Sequence, residues 1–275
     1  SVFIHRYFRR FCFRSFVCDL PIVPMGIIFL VFSSTLPAQD TKYTQSLKYT
    51  EQGYLLVENF EEVELDQLPY HWFEQKGQNR PYDYPLSIKE DYEYTIRVEE
   101  NGKPNQFLRF EGNKAKHLNF PLHEVENLWL HKTPILSWKW RIWDIPENAD
   151  ENISKKNDVA ASIYVVFKIK KLALVRDVPQ SIRYTWSSSL QEGTEFSTFF
   201  GHQKVVVLGQ GQPAKAQDNQ LQWMTFRRNL LDDYRRLFGE EPPDKPLAIL
   251  ILSDGDSTGD FVIADYDDIL FEPDN

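Results

Sequence analysis

Cysteine is almost missing from this chain: 275 residues carry two, Cys12 and Cys18, both close to the N-terminus. Beyond them no disulfide framework, C-x-x-C redox pair, cysteine zinc site or cysteine nucleophile can be built. Long apolar runs are missing too. The run Ile22 to Phe32 is broken by Pro24 and Gly26 and is far shorter than the roughly 20 apolar residues a spanning helix needs. Positive charge is in deficit, with 31 Lys and Arg against 40 Asp and Glu and a net charge of -9. That balance repels nucleic acid and anionic lipid.

The first residues read as an export leader. Arg6, Arg9, Arg10 and Arg14 precede the apolar run, and Ser33, Ser34 and Thr35 lead to Leu36-Pro37-Ala38 before Gln39. This is the layout of a signal peptide spanning 1–38, cleaved after Ala38. Its removal takes away four arginines and Asp19, which moves the net charge from -9 to -12, and removes both cysteines. A polar lead-in over 39–53 follows, and 54–275 reads as one domain without internal repeat or low-complexity linker. The mature chain has no integral membrane segment, and the expected location is periplasmic or extracellular. The oligomeric state is not encoded in any pattern of the sequence.

What the chain has in quantity is aromatic residues, 15% of the total, distributed among short extended runs. These runs are Tyr54 to Phe60, Tyr94 to Glu99, Gln106 to Glu111, Leu136 to Asp144, Ala161 to Lys168, Ser181 to Ser187, Lys204 to Leu208, Leu247 to Leu252 and Phe261 to Phe271. Turn formers such as Asn101-Gly102-Lys103-Pro104 separate them. Many short strands with turn punctuation predict an all-β fold with one or two helices, a jelly-roll or galactose-binding-like β-sandwich. The spacing of Phe226, Leu230, Tyr234 and Leu237, with Gly239 and Pro242-Pro243 as a stop, predicts a helix that plugs one end or edge of the sandwich.

The run Leu136-Ser-Trp-Lys-Trp-Arg-Ile-Trp-Asp144 is the most informative. Strand alternation puts Leu136, Trp138, Trp140 and Ile142 on a core face and Ser137, Lys139, Arg141 and Trp143 on the other. With the runs at 161–168 and 181–187 as neighbours, Lys139, Arg141 and Trp143 join Tyr164 and Arg183 in one candidate ligand-binding face. Rings flanked by cationic donors suit a glycan, especially an acidic one, because a ring stacks on a sugar while Arg grips a carboxylate. The competing reading makes Trp138, Trp140 and Trp186 core and leaves the charges solvated or paired with Asp144 and Asp158.

A second candidate is Asp254-Gly-Asp-Ser-Thr-Gly-Asp260. Asp254, Asp256, Thr258, Asp260 and Asp265 follow much of the ligand order of a calcium loop, with Gly259 at the sharp turn. A hairpin rich in turn formers explains the same residues, and calcium is the one cofactor to test. His71, His117, His123, His131 and His202 have no metal-site spacing, the pairs Glu61-Glu62, Asp232-Asp233 and Asp267-Asp268 single out no acid/base couple, and Ser187-Ser-Ser189 lacks a nucleophile-elbow context.

Several phrases taken in order carry a family resemblance: Leu56-Val-Glu-Asn-Phe-Glu61, Trp138-Lys-Trp-Arg141, Asn157-Asp158, Ile163-Tyr-Val-Val-Phe167, Arg183-Tyr-Thr-Trp186, Asp233-Tyr-Arg-Arg-Leu-Phe-Gly239, Ser253-Asp-Gly-Asp-Ser-Thr-Gly259 and Asp267-Asp-Ile-Leu-Phe271. Together they resemble domain-of-unknown-function family 3047, a group of exported bacterial proteins, over most of 54–272. More distantly, the opening and closing strands look like those of galactose-binding-like jelly rolls, which include carbohydrate-binding modules. The resemblance implies a fold and an envelope location and no catalytic residue. The leading expectation is a non-catalytic, carbohydrate-binding protein of the bacterial envelope or periplasm with a glycan as partner. The alternatives are a polysaccharide hydrolase or lyase on the same scaffold, and a structural or protein-interaction module.

Overall fold

The structure is a computed structural model, and the residues described are 45–65, 69, 71–74, 93–99, 104–172, 176–214 and 221–274. Apolar residues alternate with polar ones along most strands, and the chain buries the apolar set between two seven-stranded sheets, the two-layer solution open to an all-β chain. The predicted β-sandwich of jelly-roll type is therefore the fold. The described residues contain one α-helix.

The first sheet is organised by β14 (Val262–Glu272). One edge of β14 pairs with β7 (Ile135–Asp144), and β7 carries β12 (Met224–Asn229) on its far side. The other edge is shared between two strands. Val262 to Tyr266 pair with β5 (Asn105–Gly112), which carries β4 (Tyr94–Glu99), and Ile269 to Phe271 pair with β2 (Leu55–Glu58), which carries β1 (Lys48–Tyr49). The change of partner falls at Asp267-Asp268, where Asp268 takes φ 45° and the register with β7 slips. A bulge at that point lets one strand serve two neighbours.

The second sheet runs β10 (Glu195–Thr198), β11 (Gln203–Gln210), β9 (Arg176–Ser187), β8 (Val159–Leu172), β13 (Ala248–Asp254), β6 (Lys116–Pro121), β3 (Phe73–Glu74). Its pairs are antiparallel except β9 with β11. Between the sheets lie Trp138 and Trp140 of β7, edge to face at 5.4 Å, with Trp138 reaching Tyr184 of β9 at 5.5 Å. Aromatic rings thus span the gap between the layers.

The predicted helix is shorter than its spacing suggested. Phe226 ends up in β12, packed on Trp140 at 5.1 Å, and α1 covers Leu230–Phe238. Asn229 caps it, its Oδ1 accepting from the N–H groups of Leu231 (3.1 Å) and Asp232 (3.2 Å), and Gly239 closes it at φ 68°. Inside, Tyr234 packs on Phe167 at 4.6 Å, so the helix stoppers the core.

Part of the expected polar lead-in belongs to the sandwich. Leu47 is buried in the core, its backbone N–H bonds Asn127 Oδ1 at 3.0 Å, and Lys48–Tyr49 form β1. The expected leader, 1–38, lies outside the described residues. No helix among the described residues is long and apolar enough to cross a membrane.

Candidate functional site

The alternation read from 136–144 holds: Leu136, Trp138, Trp140 and Ile142 are core, and Lys139, Arg141 and Trp143 face outward from the first sheet. That outward face is closed by its own charges. Arg109 of β5 and Arg141 of β7 are the direct cross-strand neighbours of Asp265 on β14. Arg109 donates to Asp265 at 2.7 and 2.9 Å, Arg141 Nε at 2.8 Å and Trp143 Nε1 at 2.7 Å. The other arm of Arg141 reaches both oxygens of Glu99 at 3.0 and 2.9 Å. Its guanidinium lies 4.7 Å from the Phe107 ring centre and 4.3 Å from that of Trp223. Arg141 is only 4% exposed. Lys139 is tied to Asp268 at 2.6 Å. The expected charge partners, Asp144 and Asp158, are replaced by Asp265, Glu99 and Asp268, because β14 rather than β8 lies beside β7.

Tyr164 and Arg183 lie elsewhere, and the five-residue face expected from the sequence is split between the two outer surfaces of the sandwich. β8 and β9 are neighbours as expected, but they belong to the second sheet. There a cross-strand row runs Val205, Arg183, Tyr164, Leu250, Asn119, Phe73 over six strands. The flanking rows add Thr185, Ser162 and His117 on one side, and Gln203 and Ser181 on the other. A loop between β7 and β8 brings in Glu151, whose Oε2 accepts from Ser187 at 2.7 Å.

This second outer face is buried and mixed: Val159, Tyr164, Val166, Ala248, Leu250 and Leu252 form a small apolar cluster on β8 and β13, and polar groups flank it. Arg183 donates from Nε to Ser162 at 3.0 Å and lies over the Tyr164 ring at 5.3 Å, while its Nη2 is buried without a hydrogen-bond partner. Asn119 Oδ1, Glu151 Oε1 and Ser181 Oγ are in the same state. Such groups are rare in folded proteins, and each costs about 1–3 kcal/mol when left unmet. Titration is perturbed as well. Burial, reinforced by Arg183, holds His117 down at about 3, so the imidazole is neutral. Burial pushes Tyr164 up to about 12 and raises the Glu151 carboxyl against the pull of Arg183. Perturbed groups converging on one cation in a buried polar patch mark a functional candidate.

The acidic loop after β13 adjoins this face, with a changed membership. Carboxylate oxygens of Asp158, Asp254 and Asp256 lie within 4.8 Å of one another. Asp265 is not among them, being bound to Arg109 and Arg141 on the other sheet. Thr258 spends its hydroxyl on Asp158 at 2.6 Å, and Asp260 accepts from the Asn148 N–H at 3.4 Å. Burial and the charges of Asp256 and Asp158 raise the Asp254 carboxyl well above its ordinary range. Asp158 was missed because it stands about a hundred residues upstream, with only the phrase Asn157-Asp158 to signal it. Glu151 and Asn119 carried no sequence signal at all.

A family model described as a protein of unknown function, DUF3047, matches residues 82–270. The chain belongs to that family. A search of curated proteins finds no match. Among solved structures the chain is similar to a family 16 carbohydrate-binding module, with 12% identity, TM-score 0.32 and coverage of 66% of this chain and 88% of that one. It is also similar to CBM28, a carbohydrate-binding module specific for non-crystalline cellulose (18% identity, TM-score 0.31, 65% and 79% covered). A third is the family 11 module of the Clostridium thermocellum cellulase Lic26A-Cel5E (12%, 0.32, 81% and 95%). Likeness at this level assigns no function to the chain.

Proposed function

We propose that this protein is a non-catalytic module that binds an uncharged, hydroxyl-rich ligand, a neutral glycan, on the outer face of its second sheet around Arg183 and Tyr164. The observation that carries the reading is the unmet hydrogen-bond capacity gathered there. Arg183 Nη2 can only donate, whereas Asn119 Oδ1 and Glu151 Oε1 accept, and a sugar hydroxyl both donates and accepts. Four acidic side chains, Glu151, Asp158, Asp254 and Asp256, surround Arg183, so an anionic ligand would meet carboxyl groups there, which turns the expectation from an acidic glycan to a neutral one. Lys139, Arg141 and Trp143 are left out of the site, since Asp265, Glu99 and Asp268 already hold their cations and the Trp143 indole N–H.

The test is calorimetric titration of the protein with soluble neutral polysaccharides (xyloglucan, laminarin, glucomannan) and with acidic ones (pectin, alginate). Neutral binding that disappears in Arg183→Met and in Glu151→Gln, with both variants retaining the native circular dichroism spectrum, is the expected result. Absence of binding to every neutral polymer sinks the proposal. The second reading, a polysaccharide-cleaving enzyme, draws on Glu151 and Asp254, two buried carboxyls raised in pKa near one guanidinium. Release of reducing ends or unsaturated products by the purified protein would establish it instead.

An exported location is part of the proposal and rests on the leader-like pattern of 1–38. Intact mass of protein from the cell envelope should give a chain that begins near Gln39. For calcium the ligands to test are Asp158, Asp254 and Asp256. A calcium-dependent rise in Tm that Asp256→Ala abolishes is the readout.

A further inference from the structure

The hairpin between β10 and β11 ends in an arrangement that folding does not explain. Phe199, Phe200 and Gly201 take φ of 48°, 57° and 85° in succession, and the His202 N–H closes the turn on Phe199 O at 3.2 Å. Phe200 and Gly201 thus hold the two central positions of a turn that requires positive φ at both, where Asn-Gly is the favoured pair. A phenylalanine is poorly suited to that backbone. The core does not compensate, because Phe200 is 93% exposed. Strain held at an exposed aromatic points to a ligand.

Register places this tip at the rim of the proposed glycan face. The Ser181 N–H donates to His202 O at 3.0 Å, and Gln203 pairs with Ser181, the neighbour of Arg183 on the same outward side of β9. Tyr164 and Val205 stand two strand spacings apart across β9, about 10 Å, and Phe200 lies five residues before Val205 in the chain, so several sugar rings separate the tip from Tyr164. The knob is convex and only two residues wide, too small for the roughly 1,000 Å² of a stable protein interface, and the chain's net charge of -9 disfavours an anionic bilayer.

We infer that Phe200 is an outlying stacking subsite for an extended neutral oligosaccharide whose other units lie over Tyr164 and Arg183. This rests on the neutral-glycan reading of that face. A flat ring presented to solvent stacks on the apolar face of a sugar, so the gain in affinity from chain length arises at this tip.

The test compares the full chain with Phe200→Asn by calorimetry, using disaccharides and hexasaccharides of the cello-, laminari- and manno- series. The substitution installs the favoured Asn-Gly pair, so Tm should rise and any lost binding cannot be blamed on unfolding. Expected is a loss of about tenfold in hexasaccharide affinity, with disaccharide affinity unchanged. Equal binding of the hexasaccharide by both proteins overturns the subsite and leaves the main site standing. Failure of the unmodified chain to bind any of these sugars overturns both. Unchanged sugar binding with loss of phosphatidylcholine vesicle binding in Phe200→Asn assigns the tip to a membrane and also overturns the subsite.

Discussion

At the scale of single residues, the outer face of the first sheet shows why a cation in a strand need not be a ligand-binding group. Arg141 is held by two carboxylates and stacked against three rings. Truncating one partner of a buried ion pair leaves the others desolvated and unpaired. Arg141→Ala should therefore destabilise the fold by roughly 3–5 kcal/mol, read as a drop in the urea midpoint, and Trp140→Ala by a similar amount through the cavity it leaves. Asp267 behaves differently. Burial, aided by the charge of Asp268, pushes its carboxyl up to about 7. The ionised form is disfavoured in the folded state, so the cost is absent below the unfolded pKa near 4 and grows as pH rises towards about 7. Asp267→Asn should stabilise the protein by roughly 2–4 kcal/mol at pH 7 and by little at pH 4, which paired thermal melts at the two pH values check.

At the scale of elements, α1 depends on its ends and on one carboxylate. Asn229 satisfies two orphan N–H groups, and Asn229→Ala should cost about 1 kcal/mol. Asp233 is the point where the helix is fastened to the sandwich: it accepts from Tyr184 at 2.8 Å, from Arg228 at 2.8 and 2.6 Å, and from Arg236 at 2.8 Å. Although burial opposes it, the bonds from Arg228 and Arg236 hold its carboxyl below the ordinary range. A depressed carboxylate contributes stability above its unfolded pKa and loses it as pH falls through the folded one. Acidification below about pH 4 should thus loosen α1 before the sheets, seen as early loss of amide protection over 230–238 in hydrogen exchange.

At the scale of the whole molecule, one apolar core continues from the first sheet through Trp138 and Tyr184 into the second. Among the described residues the second sheet adds a small apolar cluster on its outer face, Val159, Tyr164, Val166, Ala248, Leu250 and Leu252, but the inner faces of both layers depend on the shared core. Thermal unfolding should be a single transition, with calorimetric and van't Hoff enthalpies in agreement. Two resolved transitions would show that the sheets are separable. If 1–38 is removed as proposed, reducing agent should leave Tm unchanged, since both cysteines, Cys12 and Cys18, lie within that segment.

What the sequence alone determined follows from local chemistry. Period-two alternation identified both faces of β7, turn formers marked most strands, and the stop at Gly239 and Pro242-Pro243 placed the end of α1. Short elements with weak patterns, β3 and β10 among them, did not stand out. Strand neighbours were illegible, because hydrogen-bonded pairing is set by the whole packing problem and joins residues far apart in the chain. That one unknown decided the site. Pairing β7 with β14 gave Arg141 to Asp265 and withdrew Asp265 from the acidic loop, while pairing β8 with β9 and β13 set Arg183 and Tyr164 among Asn119, Glu151 and Asp254. Burial, which only the tertiary structure supplies, then left Arg183 with a donor unmet, whereas Arg141 is held by Asp265 and Glu99.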